Sequence, residues 1–184
     1  TLLPDSFDPI RDTGFPVINA VAPLLDGRVL VAGTIARVKG GITTNLAILG
    51  PDGSPDGTFS TSANSPVNCL ALEPGGKVLV GGSFTSLGGQ TRNRLARLNP
   101  DGSLDAAFNP NVNGSVNCLA LQPDGAVLLG GSFDTVAGQG RTNLARLLPD
   151  GTLDPSFKPR ASGPVNSLAL QTNGAVVVGG SFTN

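Results

Sequence analysis

Short apolar runs, each closed by turn residues, return along this chain at a fixed interval. The run Val78-Leu79-Val80-Gly81-Gly82-Ser83-Phe84 comes back as Val127-Leu128-Leu129-Gly130-Gly131-Ser132-Phe133 and as Val176-Val177-Val178-Gly179-Gly180-Ser181-Phe182, with a worn copy at Val29-Leu30-Val31-Ala32-Gly33-Thr34-Ile35. The second glycine of each copy stands at 33, 82, 131 and 180, three steps of 49, as expected for one structural unit copied side by side. In the copy from Phe59 to Phe108, Val67-Asn68-Cys69-Leu70-Ala71-Leu72 reads as a strand ended by the turn Glu73-Pro74-Gly75-Gly76, and Lys77-Val78-Leu79-Val80 as its hairpin partner. A longer connection, 85–93, leads to a third strand, Arg94-Leu95-Ala96-Arg97-Leu98. The turn Asn99-Pro100-Asp101-Gly102-Ser103 then feeds a fourth, Leu104-Asp105-Ala106-Ala107-Phe108. Apolar residues nowhere keep the i, i+3, i+4, i+7 spacing of an amphipathic helix, and 26 glycines with 15 prolines break most attempts at one, so essentially no helix is expected.

A lone sheet with apolar residues on both faces cannot shield itself from water and must stack against neighbours. Units of about 40 to 50 residues with four antiparallel strands fall in the length class of propeller blades rather than of solenoid coils. The expected fold is therefore all-β: a β-propeller of four-stranded antiparallel blades, about four per chain. It forms a single array over 1–184 with repeats 8–59, 60–108, 109–157, and 158–184 completed by 1–7. That last pairing follows from the opening Leu2-Leu3-Pro4-Asp5-Ser6-Phe7, which matches the third strand and turn of a blade and complements the two-strand ending at Asn184. Three outcomes stay open: a small closed ring, two copies joined end to end, or blades lying outside this sequence. The recurring Phe7, Phe59, Phe108 and Phe157, with Phe84, Phe133 and Phe182, are expected to fill gaps between blades.

Composition removes several chemistries. Twelve basic and thirteen acidic residues leave a net charge of -1, which gives no general attraction to nucleic acid or to an anionic membrane. No apolar run approaches the about 20 residues of a membrane-spanning helix. The chain starts at Thr1 and contains no methionine, as expected of a processed mature protein or a piece of a longer one. It has no histidine, so no Ser-His-Asp or Cys-His pair can form and the commonest transition-metal ligand is missing. Cys69 and Cys118 occupy one repeat position, filled elsewhere by Ala20 and Ser167, a slot for small side chains. Equivalent sites in neighbouring units normally lie beyond the roughly 7 Å limit of a disulfide, and both cysteines are expected as buried thiols.

The string from Leu95 to Pro110, LARLNPDGSLDAAFNP, followed from Val116 to Phe133 by VNCLALQPDGAVLLGGSF, resembles the bacterial delta-60 repeat, a β-propeller family distantly similar to kelch. The resemblance covers nearly the whole chain. It implies a propeller of secreted or cell-surface bacterial proteins and brings no catalytic residues to carry over. The first copy departs most, through Ala32 and Pro55, which puts the pairing of that blade's edge in question.

Three sets of residues are candidates for function. The turns at 52–56, 101–105 and 150–154 alternate oxygen-bearing side chains as a calcium loop does. Each has two carboxylates and no bidentate glutamate at the required distance, and an Asp-Gly turn explains the same letters, so no metal and no cofactor are expected. Asn19, Asn68, Asn117 and Asn166 recur at the start of each first strand, where amides either line a channel or satisfy backbone groups; the second reading is preferred. The long connection carries Arg92, Asn93 and Arg94, echoed by Arg141 and Asn143; these five are the candidate ligand-binding residues, for the carboxylate or sulfate groups of an acidic glycan. The competing role, and the preferred one, has Arg97 and Arg146 pairing with Asp105 and Asp154 along the blade edge. The leading expectation is a non-enzymatic scaffold or protein-interaction module of a secreted or surface bacterial protein, which binds a protein partner or associates with itself through complementary ends. A carbohydrate-binding propeller module is the alternative. Carboxylate-only glycoside chemistry comes third, because nearly all the aspartates, and the one glutamate, Glu73, sit in turns.

Overall fold

The computed structural model describes residues 17–35, 37–38, 41–42 and 45–183; the opening segment 1–7, with Phe7, lies outside them. The described residues contain strands and turns and no helix. Each repeat carries the same series. The first has β1 (Val17–Pro23), β2 (Val29–Thr34), β3 (Arg37–Val38), β4 (Gly41–Ile42) and β5 (Leu46–Leu49). The second has β6 (Val67–Leu72), β7 (Val78–Gly82), β8 (Ser86–Leu87), β9 (Gln90–Thr91) and β10 (Leu95–Leu98). The third has β11 (Ser115–Leu121), β12 (Val127–Ser132), β13 (Thr135–Val136), β14 (Gln139–Gly140) and β15 (Leu144–Leu147); the fourth has β16 (Val165–Leu170) and β17 (Val176–Gly180). The main sheets run β1-β2-β5, β6-β7-β10 and β11-β12-β15, and β16 pairs with β17, all antiparallel.

Two features differ from the expected four-strand blade. The fourth strand is reduced to one bridge, Leu98 with Leu104 and Leu147 with Leu153. The cause lies in the next residue: Asp105 Oδ1 accepts the Ala107 amide at 3.1 Å and turns the chain, so the ladder stops. The long connection is itself a small two-stranded ribbon, β8 with β9 and β13 with β14. In the worn first unit, β5 pairs normally with β2, and Pro55 makes the same single bridge, to Leu49.

The sheets stack face to face, and the core lies in the seams between them. One cluster joins Leu30, Ala32 and Ile48 of the first unit to Val67, Val80 and Leu98 of the second. Another joins Leu79 and Leu95 to Val116, Val127 and Leu129, and a third joins Cys118 and Leu144 to Val165. Phe84 and Phe108 are fully buried, and Phe108 lies over the next unit's turn at Gly151, where a Cβ would stand 2.6 Å from its ring.

The double glycine serves two separate contacts. A Cβ on the second glycine would strike backbone of the first strand in its own sheet: 2.4 Å from the Pro66 carbonyl oxygen at Gly82, 2.0 Å from that of Ser115 at Gly131. A Cβ on the first would meet the next unit, 2.8 Å from Val116 Cγ1 at Gly81 and 2.4 Å from Val165 Cγ1 at Gly130. The same glycine touches the cysteine slot, with Cys69 Sγ at 2.6 Å from the Gly81 Cβ position and Cys118 Sγ at 2.7 Å from that of Gly130, which is why the slot takes only small side chains. Both cysteines are free thiols; Cys118 is buried and Cys69 only partly so. Burial pushes Cys118 up to about 11 and Cys69 higher, with the Cys118 charge adding to the shift at Cys69.

Candidate functional site

Each first strand carries a bulge, and the bulged residue is the recurring asparagine. Pairing steps from Val67↔Gly82 to Cys69↔Gly81 and omits Asn68; Asn117, Asn166 and Asn19 are omitted in the same way. A bulge frees one residue from the ladder and re-aims its side chain. Here the freed amide crosses to the neighbouring first strand: Asn19 Nδ2 donates to the Val67 carbonyl at 2.9 Å, Asn68 to that of Val116 at 3.1 Å, and Asn117 to that of Val165 at 3.2 Å. Three of the four amides satisfy backbone groups, and the groups belong to the next blade, whereas Asn166 Oδ1 accepts from Asn117 Nδ2 at 3.1 Å.

The blade edge carries the ion pairs. Arg97 Nε donates to Asp105 Oδ2 at 2.9 Å, Lys77 Nζ reaches the same oxygen at 2.9 Å, and Arg146 Nε donates to Asp154 Oδ2 at 2.6 Å. The first unit uses Arg28 on Asp56 instead. Arg97 Nη1 also donates across the seam to the Pro149 carbonyl at 2.9 Å and lies 3.6 Å from Glu73, while its guanidinium carbon stands 4.4 Å over the Phe108 ring. The Lys77 hydrogen bond, with Arg97 beside it, lowers the Asp105 carboxyl to about 2; Asp154 is also lowered to about 2, first by the Ser156 hydroxyl and backbone and then by Arg146.

The five candidate ligand residues do not gather into one cluster. Arg92 and Arg141 are each 6% exposed and bond to main-chain oxygens, Arg92 to Thr91 at 2.8 Å and Ala106 at 3.3 Å, Arg141 to Gly140 at 2.7 Å and Asp154 at 3.2 Å. In both, the buried Nε has no partner. Arg94 donates to the Ser83 carbonyl, and Asn93 Nδ2 to Asn111 Oδ1 at 2.7 Å. By repeat position Asn143 matches Arg94 and Asn45, all three at positive φ, a conformation asparagine tolerates well. Its amide donates to the Ala161 carbonyl at 3.1 Å, as Asn45 does to that of Ala63 at 2.9 Å, so it is a second clamp across the seam. At the turns, Asp101 Oδ1 accepts from the Ser103 amide at 2.9 Å and hydroxyl at 2.6 Å, and Asp150 does the same with Thr152. These are Asx turns. Among the described residues no group of three or more Cys, Asp or Glu is placed to hold a metal ion.

One feature escaped sequence reasoning. A cleft of about 140 Å³ is lined by Gly140, Arg141, Thr142, Lys158, Pro159 and Arg160. The preceding unit has Asn109 and Asn111 where Lys158 and Arg160 stand, so the repeat breaks toward positive charge at this cleft. That break of symmetry was visible in the letters.

Comparison with known proteins places this geometry. The model of a family described as a domain of unknown function (DUF5122) beta-propeller matches residues 24–71, 73–108 and 122–157. The chain belongs to this family. Within the DUF5122 propeller, residues 102–137 also match the model of the WD domain, G-beta repeat. Among solved structures, a Streptogramin B lyase structure superposes with a TM-score of 0.55 at 15% identity over 97% of this chain and 49% of that one. A protein of unknown function from Bacteroides caccae gives 0.48 at 17% identity over 91% of this chain and 54% of its own. The DUF5122 chain thus spans about half the length of the solved structures it matches, and at these identities the likeness is one of fold. No curated protein matches. No helix of the described residues is long and apolar enough to cross a membrane.

Proposed function

We propose that this DUF5122 propeller is a non-catalytic scaffold and interaction module of a secreted or surface bacterial protein. The observation that carries the reading is the engagement of the carboxylates in structure. Asp101 and Asp150 close turns, Asp56, Asp105 and Asp154 hold blade-edge cations, Glu73 faces Arg97, Asp124 accepts the Ala126 amide and Asp134 bonds Asn113. Carboxylate-only glycoside hydrolysis needs two carboxyls about 5 to 10 Å apart across a substrate cleft, and these groups serve turns and edges instead. The extracellular setting rests on the resemblance to the delta-60 repeat alone.

A second reading, binding of an acidic glycan, is favoured by the cleft of Arg141, Lys158 and Arg160, since guanidinium and ammonium groups suit carboxylate and sulfate. One set of assays separates the possibilities. Incubation with a streptogramin B is expected to leave it intact; turnover above the buffer rate would overturn the non-catalytic reading. On an array of sulfated and uronate-bearing glycans the leading reading expects no retention, whereas retention lost in Lys158→Ser/Arg160→Ser would establish the second.

A further inference from the structure

Four positions at which the third unit departs from the second lie around one cleft. Gly140 stands where the second unit has Thr91, Thr142 where it has Asn93, and Lys158 and Arg160 where it has Asn109 and Asn111. At the earlier seam Asn93 Nδ2 donates to Asn111 Oδ1 at 2.7 Å, which ties the end of the ribbon to the connection that follows it. With Thr142 and Arg160 that amide pair is gone, and the same two walls line the cleft of about 140 Å³. The opening is written in substituted side chains, at a place whose counterpart is bridged.

The cleft carries positive charge that the chain itself does not answer. Lys158 and Arg160 are exposed, and among the described residues neither forms an ion pair. Asp154, close by in sequence, is taken by Arg146 and Ser156, and Asp134 lines a separate cavity, held by Asn113. Arg141 lines the cleft with its Nη atoms committed to the Gly140 and Asp154 carbonyls and its buried Nε unpartnered. Arg92 repeats that arrangement, so the buried arginine belongs to the fold, and the two free cations beside it are what the third unit adds. A carboxylate suits such a cleft, because its two oxygens accept from guanidinium and ammonium together.

Gly140 indicates what kind of molecule brings that carboxylate. It has no positive φ, nothing lies within 4 Å of its Cβ position, and Thr91 serves in the same place in the second unit. The fold therefore does not require this glycine. A strand glycine without an internal cause fits the close approach of another backbone, and both residues of β14, Gln139 and Gly140, are exposed. A sugar ring is ordinarily gripped by stacking on an open aromatic face, whereas this chain has no Trp or Tyr and no aromatic residue lines the cleft. We propose that the cleft docks an acidic segment of a partner protein, extended over Gly140, with one carboxylate among Arg141, Lys158 and Arg160. The inference rests on the reading of the protein as an interaction module and names the chemistry of its partner.

Fluorescence anisotropy of a fluorescein-labelled glutamate hexamer, titrated at low salt with the 184-residue chain and its variants, tests it. A glutamine hexamer and a sulfated, uronate-bearing hexasaccharide serve as competitors. The glutamate hexamer is expected to bind, with the glutamine hexamer and the saccharide both weaker. Lys158→Ser/Arg160→Ser should weaken binding at least about tenfold, the loss of hydrogen bonds to a charged group. Gly140→Thr should weaken it at least about fivefold, as an intruding side chain does, while leaving the cations in place. All three sites are exposed, so the variants should keep the wild-type circular dichroism and urea midpoint. No binding of the glutamate hexamer, equal binding of the glutamine hexamer, or either variant binding as the wild type does would overturn the proposal. Tighter binding of the saccharide would overturn it in favour of the glycan. None of these outcomes touches the non-catalytic reading, which falls only on turnover.

Discussion

Gly131→Ala is expected to destabilise the chain by on the order of 3 kcal/mol or more, although it adds a single methyl group. The added Cβ would stand 2.0 Å from the Ser115 carbonyl oxygen and 3.0 Å from its carbon, and those atoms are backbone of the paired first strand. A flexible side chain can rotate away from such a contact, whereas a strand held in register on one side and packed against the next unit on the other cannot. The bulge at Asn117 would have to move, and with it the amide that reaches Val165. Gly140→Ala is the matched control: nothing lies within 4 Å of its Cβ position and its φ is negative or extended, so its effect should stay within about 0.5 kcal/mol. Urea unfolding of the two variants beside the wild type measures both. Equal midpoints would mean that the second glycine of the pair is not held against the bulge.

Arg97→Ala is expected to cost about 2 to 3 kcal/mol. Arg97 and Asp105 are each 9% exposed, and removing one partner of a buried pair leaves the other desolvated. The loss falls below the full range for such pairs because Lys77 stays on the same carboxylate oxygen. It also removes the hydrogen bond to Pro149 and the stacking over Phe108, and so loosens the seam between the second and third units. Acid provides an independent check on the same group. The Asp105 carboxyl is lowered in the folded chain to about 2 from 3.8, so its contribution is fully present above about pH 4 and is lost as the pH falls through about 2. Stability followed by urea titration should be level above pH 4 and drop between pH 4 and 2, with a smaller drop in Asp105→Asn. A drop of the same size in that variant would show that Asp105 does not carry the acid sensitivity.

The repeat length, the hairpins, the absence of helix among the described residues and the edge pairs of Arg97 with Asp105 and Arg146 with Asp154 were legible in the letters, because each is written in local chemistry or strict repetition. The recurring asparagines were legible as structural, yet their acceptors were not. The Val67, Val116 and Val165 carbonyls lie 48 residues away and come within reach only once sheets stack. The same limit hid the division of labour in the double glycine, since sequence shows that a side chain is excluded and not which atoms exclude it. The fourth strand was overcounted because Leu104 to Phe108 has strand-like residues, while the capture of the Ala107 amide by Asp105 decides where pairing ends. Asn143 was grouped with the arginine loop by proximity, and its repeat position, shared with Asn45, places it at a clamp. The basic cleft was missed for the opposite reason: attention to what repeats passes over Lys158 and Arg160, which do not.

The stacking of the second, third and fourth units depends on a valine seated over the first glycine of the preceding unit's pair, Val116 over Gly81 and Val165 over Gly130. Nuclear Overhauser contacts between the Val116 methyls and the Gly81 Hα protons, and between the Val165 methyls and those of Gly130, measure that seating in solution. Strong cross-peaks are expected at both seams. Contacts confined to residues of a single repeat, with neither valine reaching the glycine before it, would contradict that stacking.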